Sequence, residues 1–164
     1  MTCKTNNLSA RQLTWLVVLR VAIGWHFLYE GLIKLFNPAW SPMGYLMDSK
    51  GFLAPVYHWM ASDPAILNVV DFLNEWGLVL IGLGLVLGAF TRLATLAGML
   101  LLVFYYLSHP PLPGLSYALP SEGSYFLIDK VVIEFIALGV IYMFPTSRVI
   151  GMDRLICRNK AKQE

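Results

Sequence analysis

Cysteine, histidine and charge are all scarce in this chain, and each scarcity closes off a class of function. The two cysteines, Cys3 and Cys157, lie near opposite ends of the 164 residues, so they form no CxxC dithiol and no thiolate metal spacing. The three histidines, His26, His58 and His109, are scattered, and with neither HxxxH nor CxxCH spacing they give no metal or haem motif. No glycine-rich phosphate loop and no nucleophile elbow interrupts the chain. Charged residues make up only 13%, with a net charge of +2, which leaves no basic patch of the kind that binds nucleic acid.

What is present is apolar surface. Hydrophobic residues account for 57% of the chain and the mean hydropathy is +0.62, too high for a water-soluble domain of this size. A spanning helix needs roughly 20 mostly apolar residues. Windows of that kind fall at 13–36, 66–87, 91–108 and 125–144, and they predict an all-α membrane four-helix bundle in a single domain. The third window is the shortest, with Arg92 and the pair Tyr105 and Tyr106 as interfacial anchors. The first is expected to remain as a span: its apolar run is long for a signal peptide, Arg20 interrupts it, and no small-residue cleavage site follows.

Basic residues set the expected orientation. Lys4 and Arg11 precede the first span, Arg92 follows the second, and Arg148, Arg154, Arg158, Lys160 and Lys162 follow the last. With an even number of spans these share one side, which the positive-inside rule makes cytoplasmic in a bacterial-type inner membrane. Segments 37–65 and 109–124 then face outward, and 145–164 is a cytoplasmic tail. Within 37–65, the stretch Phe52 to Met60 predicts a short interfacial helix, divided from its neighbours by Pro42, Pro55 and Pro64, with Trp40, Tyr57 and Trp59 at the headgroups. It reads as a cap over the bundle or a lid over a cleft. The proline-rich 108–114 is expected to run extended, and 149–157 to form a short amphipathic helix.

Ionisable residues inside the spans carry the chemical argument, because a charge near mid-bilayer costs at least about 2.5–3.5 kcal/mol on insertion scales. Arg20, Gly24, Phe27, Gly31 and Lys34 share one face of the first helix, bordered by Glu30. Asp71, Glu75, Leu78 and Gly82 form a stripe on the second, and Lys130, Glu134 and Ala137 one on the fourth. These stripes are expected to converge inside the bundle, with Gly84 and Gly88 allowing close helix contact elsewhere. In the simplest outcome the charges pair: Arg20 with Glu75 or Glu134, Glu30 with Lys34, Lys130 with Glu134. In the other, an unmatched carboxylate, Glu75 above all, holds and passes a proton. Glu75, Glu30 and His26 are the proton-relay candidates, His26 being either a hydrogen-bonded core residue or a relay partner of Glu30.

The sequence resembles the DoxX-like membrane proteins, a family that includes the DoxD subunit of thiosulfate:quinone oxidoreductase. The likeness rests on Arg20-x-x-x-Gly24 and Gly31-x-x-Lys34, on Glu75-Trp-Gly-Leu-Val-Leu-Ile-Gly-Leu-Gly-Leu, and on Gly88-Ala-Phe-Thr-Arg92-Leu93-Ala94. Lys130, Glu134 and Gly151-Met-Asp153-Arg154-Leu155 extend it. The resemblance implies a four-span bundle and, for some members, a place beside an oxidoreductase that reduces quinone. Ubiquinone or menaquinone is then the expected bound substrate, with no covalent cofactor and no metal. Arg20, Lys34, Glu75, Trp76, Lys130 and Glu134 are the expected ligand-binding residues. The chain carries no redox-centre motif of its own, so electrons must come from an outward-facing redox or sulfur-metabolising partner. A homo-oligomer is compatible with this, and a small-molecule carrier or a non-enzymatic assembly scaffold is the alternative reading.

Overall fold

A computed structural model describes residues 8–118 and 126–154. Among the described residues there are six α-helices and one 3-10 turn, with no strand. Helix α1, Ala10–Leu35, opens on a reciprocal capping box between Ser9 and Gln12. Two short helices follow, α2 over Met43–Met47 and α3 over Ala54–Ser62. Asp63 caps α4, Pro64–Leu87, by accepting from the N–H groups of Ala65 and Ile66, and Pro64 occupies the first position, where a missing N–H is harmless. Gly88 ends α4 in the left-handed conformation at φ 65°. Helix α5 runs over Thr91–Ser108, and α6 over Lys130–Met143 behind an Asp129 cap.

Helices α1, α4 and α5, with 26, 24 and 18 residues, are long and apolar enough to cross a membrane. They match the spans expected at 13–36, 66–87 and 91–108 to within three residues. The fourth expected span, 125–144, is met only in part. Helix α6 has 14 residues, about 21 Å of helix against a hydrocarbon layer of roughly 30 Å, and residues 119–125 before it lie outside the described set.

Glycines bring α1 and α4 together. A Cβ on Gly24 would stand 2.8 Å from the Leu85 Cβ, one on Gly31 2.8 Å from the Val79 backbone nitrogen, and one on Gly82 would run into the Leu28 backbone. Only hydrogen at these positions lets the antiparallel backbones approach so closely. Gly84 meets Ala94 of α5, as expected of a helix contact, whereas Gly88 terminates its helix and packs against Gly151 instead. Ile23 and Phe27, Leu78, Ile81 and Leu85, Ala94 and Leu102, and Leu138 and Ile141 form one core drawn from α1, α4, α5 and α6.

The chain order gives the molecule a Gly88 end and a Lys34 end. The α4–α5 turn and residues 146–154 occupy the first, while α2, α3 and the segment after α5 cover the second. The cap has its own small core of Leu46, Tyr57 and Ala61. Pro42 caps α2, and Pro55 and Pro64 fall in the first turns of α3 and α4, so the prolines divide 37–65 as the sequence predicts. Trp59 is exposed, but Tyr57 is buried, with its hydroxyl donating to the Phe104 carbonyl at 2.9 Å; it belongs to the cap core rather than to a headgroup belt. Residues 109–118 contain no helix. Residues 149–152 form turns about Gly151; of the helix expected over 149–157, residues 153 and 154 are helical, and 155–157 lie outside the described residues.

Candidate functional site

Arg20 does not reach a glutamate. It is 2% exposed, and its guanidinium donates to Thr146 Oγ1 at 3.1 Å and to the Ile150 carbonyl at 2.8 Å. The helix carries it toward the Gly88 end, ~21 Å along the α1 axis from Lys34 at 1.5 Å per residue. There the chain after α6 is clamped to the α4–α5 turn: the Met152 and Asp153 N–H groups donate to the Leu87 and Gly88 carbonyls. Asp153 in turn accepts from the Phe90 N–H at 2.7 Å and the Thr91 N–H at 3.2 Å, capping α5 from a distant segment and holding Phe90 at a left-handed φ of 48°. Burial pushes the Asp153 carboxyl up, but hydrogen bonds from Ser147, Thr91 and the two backbone N–H groups outweigh it and leave its pKa below the ordinary value. Arg20, Gly88, Thr91, Gly151 and Asp153 thus form a structural joint.

Ionisable side chains meet at the Lys34 end. Lys34 stands in the last turn of α1, where the helix dipole favours a cation. Its ammonium donates to Asn74 Oδ1 at 3.3 Å, lies 3.9 Å from Glu30 Oε2, and sits 5.2 Å and 5.7 Å from the ring centres of Trp40 and Tyr105. Asn74 Nδ2 donates to the Tyr105 hydroxyl at 3.0 Å. Because Lys34 can only donate, it fixes which end of the Asn74 amide faces Tyr105, and Tyr105 accepts with its oxygen while keeping its own O–H to give. Glu75, half-buried one residue beyond Asn74, feels the charges of Asp71 and Lys34. Trp76 is 42% exposed and tilts against Phe72 with ring centres 6.3 Å apart. The Lys34 ammonium thus has an amide, a carboxylate and two aromatic faces around it, with Glu75 as a further electrostatic neighbour.

His26 is not a core residue. Its side chain is 55% exposed and its Nδ1 lies 2.8 Å from Glu134 Oε1 on α6, while Glu134 is 15% exposed. The partner expected for His26 was Glu30 and the partner expected for Glu134 was Lys130 or Arg20; the observed contact joins helices α1 and α6 instead. Lys130 stands at the start of α6, exposed, as an electrostatic neighbour of His26.

Above the Lys34 cluster the cap stacks Tyr45 on His109 at 4.1 Å and Tyr117 on the same ring at 4.7 Å, with Asp48 Oδ2 3.8 Å from His109 Nε2. Burial lowers the His109 pKa against the pull of Asp48. Burial also raises the Tyr45 hydroxyl well above the ordinary phenol range. Asn74 and Tyr45 were not among the residues singled out from sequence; Tyr105, expected as an interfacial anchor beside Tyr106, instead packs against the core and joins the Lys34 cluster, and Asp153 was expected only as part of a motif. Asn74 had a signal, three residues after Asp71 on the same stripe, and Asp153 had one in the motif that contains it.

Among the described residues no group of three or more His, Cys, Asp or Glu side chains could hold a metal ion. The fold and these polar clusters define a helical membrane protein with three span-length helices, two of which, α1 and α4, carry charged side chains along their length. The chain belongs to the DoxX family, whose sequence profile matches residues 15–110. No curated protein and no solved structure matches it. The matched stretch contains the Lys34 cluster and the α4–α5 turn, and stops before α6 and the Gly151–Asp153 segment that packs against that turn.

Proposed function

We propose that this chain is a DoxX/DoxD-like membrane subunit that binds a quinone headgroup at the Lys34 cluster and links a redox partner at the Lys34 end to the membrane quinone pool. The observation that carries this reading is the chain Lys34–Asn74–Tyr105. It offers an ammonium and a phenolic O–H, both oriented by one amide, to the carbonyl oxygens of a lipid-soluble ligand. Reducing a quinone to a quinol consumes protons along with electrons. Glu75 and Glu30, beside the ammonium, supply them, and the electrons come from the partner. The ring enters from the α4 face, where Trp76 is partly exposed to lipid. Arg20 has no part in binding, and Glu134 and Lys130 lie on the His26 side of the bundle. In this reading α6 and the chain before it complete a fourth crossing, which puts both termini in the cytoplasm of a bacterial-type inner membrane. The Lys34 end then faces the outer compartment, where a partner oxidising a small sulfur anion such as thiosulfate would dock.

The test is the quinone content of protein taken gently from native membranes into nanodiscs and extracted for mass spectrometry. Lys34→Ala and Tyr105→Phe should each lower bound quinone about tenfold, as loss of one hydrogen bond in a low dielectric requires, while Gly77→Ala leaves it unchanged. Quinone-free wild-type protein, or full occupancy in both variants, would sink the proposal and favour a carrier or scaffold.

A further inference from the structure

The seam between α1 and α6 holds ionisable groups where a lone bundle meets lipid. His26 lies nine residues before the end of α1, within ~5 Å of the helix midpoint at 1.5 Å per residue. Its side chain is 55% exposed, and Glu30, one turn nearer the Lys34 end, is 48% exposed. Glu134 is held against His26 from α6, and Lys130 lies one turn before it, toward Glu30's level, because α6 runs antiparallel to α1. Hydrocarbon does not solvate such groups, so this face is covered by something polar. Apolar residues flank it: Trp25 and Tyr29, stacked with ring centres 6.4 Å apart, and Ile33 on α1, with Ile133 and Ile136 on α6, are all exposed.

We infer that a second copy of this chain covers the α1–α6 seam, packed about a two-fold axis along the membrane normal. The argument is charge complementarity. A two-fold interface brings one patch against itself, so it is favourable only when that patch carries both signs at matching depth. The seam does: Glu30 and Glu134 are acidic, His26 and Lys130 are basic or able to become so, and all lie within about two helical turns. The axis sets Glu30 of each copy toward the basic groups of the other and shuts the seam from lipid, while the aromatic and isoleucine flanks supply the packing. The interface shares Glu30 with the Lys34 cluster, but the cluster's α4 side stays open.

The test is disulfide cross-linking of the full chain in native membranes, with Cys3→Ser and Cys157→Ser as background. Trp25→Cys and Tyr29→Cys should give a covalent dimer on mild oxidation, while Leu80→Cys on α4 and Leu100→Cys on α5, equally exposed, should give none. Adding Glu30→Lys should reduce the Tyr29→Cys product about tenfold by setting like charges across the axis, and adding Lys130→Glu as well should restore it. Absence of product at both seam positions means that lipid or another protein covers the seam and overturns the inference. Equal product at Leu80→Cys marks random collision and overturns it too, as does failure of the charge reversal to restore a product lost with Glu30→Lys.

Discussion

At the scale of single residues, the most informative side chain is Arg20, because its burial and its partners assign it to structure. Its guanidinium ties α1 to the chain after α6 through Thr146 and Ile150. Arg20→Ala strands a buried hydroxyl and a carbonyl and should lower unfolding stability in mild detergent by about 3 kcal/mol, without a specific loss of ligand in the protein that remains folded. Asp153 acts at the same joint as the remote cap of α5. Its folded pKa is depressed, so its stabilisation is fully present above the unfolded value and is lost as pH falls through the folded one. The advantage of wild type over Asp153→Asn, about 1 kcal/mol as for other caps, should therefore be constant near neutrality. It should shrink only below pH about 4, in thermal melts taken across that range.

At the scale of elements, the contact between α1 and α4 rests on glycines whose roles differ in a measurable way. Gly82 has no room for a methyl group against the Leu28 backbone, whereas nothing lies within 4 Å of a Cβ placed on Gly77 or Gly139. Gly82→Ala should force the helices apart and cost about 1–3 kcal/mol in thermal unfolding. Gly77→Ala and Gly139→Ala should be neutral or stabilise by up to about 1 kcal/mol, through helix propensity alone. Equal effects at all three positions would mean that the close approach is not what these glycines serve. The sequence showed Gly24 and Gly31 on the charged face of α1, and the buried set Arg20, Ile23, Gly24, Phe27 and Gly31 confirms that this face turns inward. It could not show that Gly88 ends a helix rather than packing one, since a small-residue spacing reads the same in either role.

At the scale of the whole molecule, an even number of crossings is the expectation to check, because α6 is short among the described residues. Single cysteines replacing Phe52 in the cap and Phe90 in the α4–α5 turn, 81% and 69% exposed, should react with a membrane-impermeant thiol reagent from opposite sides. A tag at either terminus should share the side of Phe90. Labelling of both cysteines from one side would rule out the arrangement.

Composition and periodicity were enough for much of this. A chain with long apolar runs has few ways to satisfy its backbone in a membrane other than helices, so three of the spans and the divisions made by proline were legible, whereas the caps Ser9, Asp63 and Asp129 were not read from the sequence. Which charges meet was not legible, because partners lie on different helices and depend on rotations that local sequence does not encode. Helical spacing pointed to Glu30–Lys34, and that contact exists. The pairing of His26 with Glu134 across α1 and α6, the chain from Lys34 through Asn74 to Tyr105, and the choice of Thr146 and Ile150 over a glutamate as partners of Arg20 were decided by packing. The same glycines that let α1 lie flat on α4 set the rotation of α1, and that rotation sends His26 and Glu30 to the surface and Lys34 toward Asn74.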